Sequence, residues 1–374
     1  MLKFYRKYIL IVSLLMLVSC LKDKTPRQDH IIHLKWNQSY ADDNFENAVV
    51  GLSWAFSHVG AINTNQLYTM PVAGNVLTVN IQQLGFSATS EGHLERLNRV
   101  LVDSEEFATY ASIDMGRYVA LLIGASEHYY ALTAMPLKFS NLLSEYELLP
   151  VVGLIDNSAI SVKNRILTLS DQTGLKQLFI TEETDPITGE LLEIETVDLM
   201  ANGQPRFGIF DLNGNRVNAA SALNSEAGKP AKCMWCHESG IQPLFSPQST
   251  EVGYMTYFQM RDTLLHFRNR LQAKQQEITT GVAYDQVTEH IEMELLYIGF
   301  MEPSAERLSR EWNMSLSKVN ELLIGIPTHE QEEFAFLGEL YDRATIEDLA
   351  PYQSISVSSK IREKSEVEVN YMTP

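Results

Sequence analysis

Cys233, Cys236 and His237, in the stretch KPAKCMWCHESGIQPLF (residues 229–245), place two thiols two residues apart and an imidazole directly after the second. Groups of this kind at this spacing can hold a metal ion, cycle between dithiol and disulfide, or close a structural disulfide. They can also form two thioethers to one edge of a flat macrocycle while the imidazole reaches its central metal. Which chemistry applies depends on the compartment and on the elements that hold the three side chains.

The N-terminus, MLKFYRKYILIVSLLMLVSC, reads as an export signal: Lys3, Arg6 and Lys7 precede an apolar run, Tyr8 to Val18, that is too short to span a bilayer comfortably. Its end, Leu17-Val18-Ser19-Cys20, resembles the lipobox of bacterial lipoproteins. That resemblance implies cleavage before Cys20 and a lipid on it, with the folded part anchored to an envelope membrane outside the cytoplasm. The alternative is an uncleaved anchor with an incidental cysteine, and both place the chain in an oxidising space. The formal charge is −18, and without the leader 26 basic residues face 47 acidic ones. Such a surface repels nucleic acid and anionic headgroups, so the lipid would hold the protein to the membrane. LSREWNMSLSKVNELL (308–323) reads as two short packed helices in preference to a DNA-reading helix-turn-helix.

With Cys20 assigned to lipid, Cys233 and Cys236 are the remaining cysteines. A disulfide between them would close a loop too short to constrain the unfolded chain much. The pattern Cys-x-x-Cys-His resembles the attachment motif of c-type cytochromes over residues 231–245. The resemblance implies haem c on Cys233 and Cys236, His237 as proximal iron ligand, and a redox partner protein; Pro243 stands where a carbonyl often fixes the imidazole. A thioredoxin-like dithiol would want a preceding buried strand and a tryptophan before the first cysteine, but Lys232 stands there and Trp235 lies inside the pair. A zinc site would need a distant fourth ligand.

For the sixth iron position Met301, in GFMEPS, is the leading candidate, against the reading of a gap-filling core methionine. Met255, Met260, His266, His290, Met70 and Met135 read more simply as core or surface residues. Trp235 either packs on the porphyrin edge or fills the core. Glu238 reads as a surface carboxylate, and Glu182, Glu183, Asp185, Glu190, Glu193 and Glu195 as the solvent face of a hairpin. No paired-carboxylate, phosphate-loop or Ser-His-Asp pattern argues for a self-sufficient enzyme, so the expectation is an electron carrier. The alternatives are a haem-based ligand sensor and a haem-free binding protein.

The elements read as an α+β chain. A leader (1–20) and polar tether (21–44) precede a helical domain (45–150), in which Ser90 caps a helix carrying Leu94, Leu97 and Leu101. A second helical face runs through Met115, Tyr118, Leu122, Ser126 and Tyr129. Residues 151–230 alternate as an antiparallel meander, with turns at Asp185-Pro186, Thr188-Gly189 and Asn213-Gly214. Asp211, Asn213 and Asn215 are read as a turn in preference to a calcium loop. A helical haem-binding domain (231–350) follows. Its first helix carries Tyr254, Phe258, Leu265 and Leu271 on one face, and a second carries Tyr284, Val287, Ile291, Leu295 and Ile298. A third helix opens on a Thr328/Gln331 capping box. Residues 351–374 read as a disordered tail.

Overall fold

A computed structural model describes residues 28–358 and 368–373, apart from 172, 244, 279 and 280, and the fold is α+β. The leader and Cys20 lie outside the described residues. The expected tether is in part a strand: β1 (Ile31–Lys35) alternates in burial, with Ile32 and Leu34 in the core. Asn44 caps α1 (Phe45–His58) by accepting from the Asn47 amide. Strands β2 (Val72–Ala73) and β3 (Val76–Asn80) follow, and β3 runs antiparallel to β1. In α2 (Ala88–Val102) Leu94, Leu97 and Leu101 are buried as their spacing predicts, but the cap is Ser87, and Ser90 donates to the Leu132 carbonyl.

After α3 (Glu105–Tyr110), β4 (Ile113–Asp114) joins β1 in parallel and completes a sheet of order β2-β3-β1-β4. The helix expected over 115–129 breaks into α4 (Met115–Val119), a π-helical turn (Ala120–Gly124) and α5 (Ser126–Thr133). His128 Nδ1, 2.6 Å from the Leu121 carbonyl, holds that wider turn. A short α6 (Phe139–Leu143) leads to the second sheet.

The meander is present as read: β5 (Leu148–Ile155), β6 (Asn164–Ser170), β7 (Leu178–Thr184), β8 (Leu191–Leu199) and β9 (Pro205–Asp211) pair antiparallel in chain order. Asp185 Oδ1 accepts from the Ile187 and Thr188 amides, and Asp211 Oδ1 from those of Asn213 and Asn215, so both acids build turns. Gly214 takes the positive φ of +71° that the second turn needs. Register puts three rows of side chains on one face. They are Leu169-Phe179-Val197-Phe207, then Leu167-Thr181-Glu195-Ile209, then Arg165-Glu183-Glu193-Asp211. The expected solvent face of the hairpin is therefore corrected: Glu183 is 0% and Glu193 4% exposed. They share the parity of Phe179 and Val197, and a period of two leaves them no other side.

Beyond the sheet come α7 (Pro230–His237), α8 (Tyr257–Gln275) and α9 (Val287–Met301). A Thr256/Gln259 capping box opens α8, which buries Met260, Leu264, Phe267 and Leu271; the expected Phe258 is 63% exposed. The true face keeps the i, i+4, i+7, i+11 spacing that the expected set breaks. Helix α9 lies against α1 and α4: a Cβ on Gly51 would stand 2.5 Å from the Glu292 carbonyl oxygen, and one on Gly116 2.9 Å from that of Leu296. The division at residues 150 and 230 thus does not follow the packing, since one core runs from Ile32 through α9 to Met372. Helices α10 (Ala305–Glu311) and α11 (Leu316–Leu322) pack as two short helices around Trp312 and Val319. The helix expected after Thr328 does not form. His329 and Gln331 instead bind the Glu302 carboxylate, His329 bridges to Leu340, and a short α12 (Arg343–Ile346) comes later. No helix among the described residues is long and apolar enough to cross a membrane.

The tail is docked where it is described. Met372 is buried, its carbonyl accepts from His93 and Arg96, and Glu368 forms a buried ion pair with Lys229 at 2.9 Å. Beside α10, the guanidiniums of Arg117, Arg307 and Arg343 lie 4.9, 5.6 and 4.0 Å from the Phe300 ring. Glu106, Asp114, Glu311 and Glu347 pair with them. Burial alone would raise the Glu311 carboxyl, but Arg343 and Arg307 hold it at about 2. Burial, against the pull of Arg117, lifts Glu106 to about 7, and burial likewise lifts Glu183 and Glu193 to about 7.

These shifts give a stability profile. An unfolded glutamate titrates near pH ~4.3. Between that value and about 7, the folded chain keeps protons on Glu106, Glu183 and Glu193 that the unfolded chain has lost, so stability falls as pH rises. Below ~4.3 the unfolded chain takes up the proton that Glu311 refuses, and stability falls again toward acid. Melting followed by circular dichroism from pH 3 to 9 is expected to peak near pH ~4 and to be lower at pH 8. A flat profile from pH 5 to 8 would contradict this.

Candidate functional site

Helix α7 carries the motif and is short for local reasons. Pro230 sits in its first turn after an extended Lys229, and Glu238 ends it at φ +50°, where its amide bonds the Met234 carbonyl. Two turns of helix sort the motif onto two faces. Ala231 and Met234 enter the main core, and Trp235 meets Tyr297 and His290 edge-on. Lys232, Cys233, Cys236 and His237 face the second sheet.

Between that face and the sheet lies a cleft with an enclosed volume of about 170 Å³. Its apolar wall is Leu167, Phe179, Val197, Phe207 and Ile209 from the strands, with Leu264 of α8 and Ile241 and Phe245 of the following loop. Arg165, Glu195, Glu226 and Lys232 give it a charged side. Both thiols are free; Cys233 is half-buried and Cys236 exposed. Burial pushes the Cys233 thiol up, so it rests protonated. Burial first, and then the Arg165 charge, holds the His237 imidazole down at about 4, which leaves it neutral. The His237 ring tilts against Phe207 at 5.7 Å between centroids, and its buried Nδ1 makes no close hydrogen bond among the described residues, although the Gly240 backbone partly offsets the effect of burial. Pro243 therefore does not supply the fixing carbonyl suggested by its place after the motif.

The structure separates the motif from the other residues proposed as iron ligands. Met301 ends α9 and lies in the main core at 3% exposure, outside the cleft lining. Met70 and Met135 are buried in the same core. Met260 sits under the sheet against Gly153, and Met255 joins the sheet edge through the Val152 carbonyl. His266 is exposed, and His290 pairs with His58 at 3.1 Å behind Trp235. Among the described residues, the lining contains no methionine and no second histidine. Trp235 follows the core reading, and burial raises the half-buried Glu238 carboxyl.

Sequence reasoning missed Arg165, Glu195 and Phe207 as cleft residues. The signal was the alternation of FITEE and LLEIETV, which puts Glu195 on the side of Val197.

Cys233, Cys236 and His237 do not converge as a group able to hold one metal ion between them. They lie instead along one helix face that lines the cleft, from which two thiols and one imidazole could hold a haem. The neutral imidazole and the two free thiols are groups that a covalent haem could use. The chain matches no protein-family model, no curated protein and no solved structure.

Proposed function

We propose that this chain is a lipid-anchored, monohaem c-type cytochrome-like protein that transfers one electron at a time at a bacterial cell envelope. Cys233 and Cys236 would hold the cofactor by thioethers and His237 would bind its iron. One observation carries the reading: both free thiols and a neutral imidazole share the face of α7 that opens on an apolar cleft. Bound there, haem c supplies an iron that gains and loses one electron. The chain's own residues do the rest. Phe207, Leu167 and Phe179 exclude water from one side, and the exposure of Cys236 leaves an edge toward solvent where a redox partner protein can approach. The lipid on Cys20 would keep the protein at the membrane.

A second reading, binding of a small gas or peroxide at an open iron position, is favoured by the lack of methionine or a second histidine among the described lining residues. Absorption spectra of the reduced protein with and without carbon monoxide separate the two. An unchanged spectrum supports the electron carrier, and a shifted Soret band the open position. Because Met301 is packed in the main core, Met301→Leu is expected to leave the spectrum of the loaded protein unchanged. Loss of a low-spin signature in that variant would restore Met301 as a ligand.

A further inference from the structure

The charged row beside the cleft is the least explained feature of the fold. Glu183 and Glu193 stand directly opposite each other on β7 and β8, both fully inside the protein. Glu183 has Arg165 Nε at 3.4 Å from its Oε1 and is also drawn down by the Ser161 hydroxyl, but neither of its oxygens makes a close hydrogen bond among the described residues. Glu193 accepts from the Ser221 amide at 2.7 Å through Oε2, while its Oε1 is likewise unpartnered. Buried carboxylate oxygens without donors are costly when ionised and much less so when protonated. The missing ligand that these oxygens point to is a proton.

The neighbouring charges agree. From β6, Arg165 serves Glu183 and Glu195 together, and Lys163 is engaged with Asp185. On β8, Glu195 stands one row nearer the cleft and also takes the Ser225 hydroxyl. On β9, Asp211 belongs to the same row but is committed to its turn. From the loop before α7 and from α7 itself, Glu226, Lys232, Cys233, Cys236 and His237 border the cleft. Lys232 bonds the Glu226 carbonyl, and Arg165 is the cation paired with Glu183 and Glu195, with Lys163 acting on Glu183 as well.

We propose that the Glu183–Glu193 pair holds one proton at neutral pH and exchanges it with solvent in step with the electron on a haem in the adjoining cleft, a proposal that rests on the haem reading above. On reduction, one electron enters from the donor and one proton enters the pair from solvent; on oxidation both leave. The coupling is electrostatic. Negative charge arriving across Glu195 and Arg165, in a poorly screened interior, raises the proton affinity of the pair, and its removal lowers it.

The test uses the full chain loaded with haem, its midpoint potential measured by mediated spectroelectrochemistry with dithionite from pH 5.5 to 8.5. Wild type is expected to lose up to a factor of ten in reduction equilibrium per pH unit near neutrality, equivalent to 59 mV for one electron. E183Q/E193Q is expected to flatten that slope. Should the double variant fail to fold, infrared difference spectra of wild type between pH 6 and 8 still read the proton, as loss of a buried carboxylic acid carbonyl band. A flat potential in loaded wild type, an unchanged slope in a folded E183Q/E193Q, or no carboxylic acid band would overturn the coupling alone. Protein that retains no haem would remove the haem reading and this proposal together.

Discussion

Replacing Cys233 and Cys236 together by alanine is expected to reduce covalently retained haem to background while leaving the protein folded. Under the proposed attachment the two thioethers are the only covalent links, so their loss takes the signal from full to none, and each single variant keeps one link. The fold tolerates the change because Cys236 is exposed and Cys233 half-buried. Truncating one half-buried thiol costs no more than ~1–2 kcal/mol, well inside the stability of an ordinary domain. His237→Ala separates the roles: it is expected to retain covalent haem but lose the axial nitrogen, with a changed absorption spectrum. Gel haem staining alongside circular dichroism checks all three variants. Staining that persists in the double alanine variant would mean attachment elsewhere.

Glu311→Ala is expected to have the largest effect on the fold. The Glu311 side chain is 1% exposed, and its carboxylate takes two hydrogen bonds of 2.8 Å from Arg343 and one from Arg307. Without it, three guanidiniums stacked around Phe300 keep, among the described acids, Asp114, Glu347 and a Glu106 that is half protonated near neutrality. Removing one partner of a buried ionic cluster costs roughly 3–5 kcal/mol, a large share of a total stability of ~5–15 kcal/mol. Urea denaturation at pH 7 should therefore show a much lower midpoint for Glu311→Ala. Lys318→Ala, which breaks an exposed pair with Glu321, should leave the midpoint in place. A loss in Glu311→Ala below ~1 kcal/mol would show the cluster to be a surface-like pair and not a keystone.

Local signals in the sequence predicted local structure well and long-range packing poorly. Alternation and turn chemistry at Asp185, Gly189 and Asn213-Gly214 predicted the meander because both act within a few residues. The apolar spacing of Leu94, Leu97 and Leu101 likewise predicted a buried helix face. Association of α9 with α1 and α4 could not be read this way. It depends on Gly51 and Gly116 being small where another helix crosses, and nothing near either glycine announces that crossing. The Thr328/Gln331 capping box failed because Glu302, near in space but 29 residues away from Gln331, competes for the capping side chain. In the tail, Tyr371 and Met372 are too few to form a periodic pattern, yet they are anchored through His128, His93 and Arg96.

The candidate site shows the same division. Cys233, Cys236 and His237 stand out in the sequence because their spacing is local, and one helix face carries all three to the cleft. The acidic residues misled because a count of charges suggests a solvated hairpin, whereas their parity with Phe179 and Val197 turns Glu183, Glu193 and Glu195 toward the cleft side. Met301 misled because sequence distance from a motif carries no direction: the helix that bears it belongs to the main core.

The proposed electron transfer depends on covalent haem. Its most direct test is to produce the wild-type protein in a host with haem-attachment machinery and to measure its mass after denaturation. One haem retained per chain, linked through residues 233 and 236 in the proteolytic peptide, is the expected result. A denatured chain with no added haem, and its two thiols still free or joined to each other, would contradict the account.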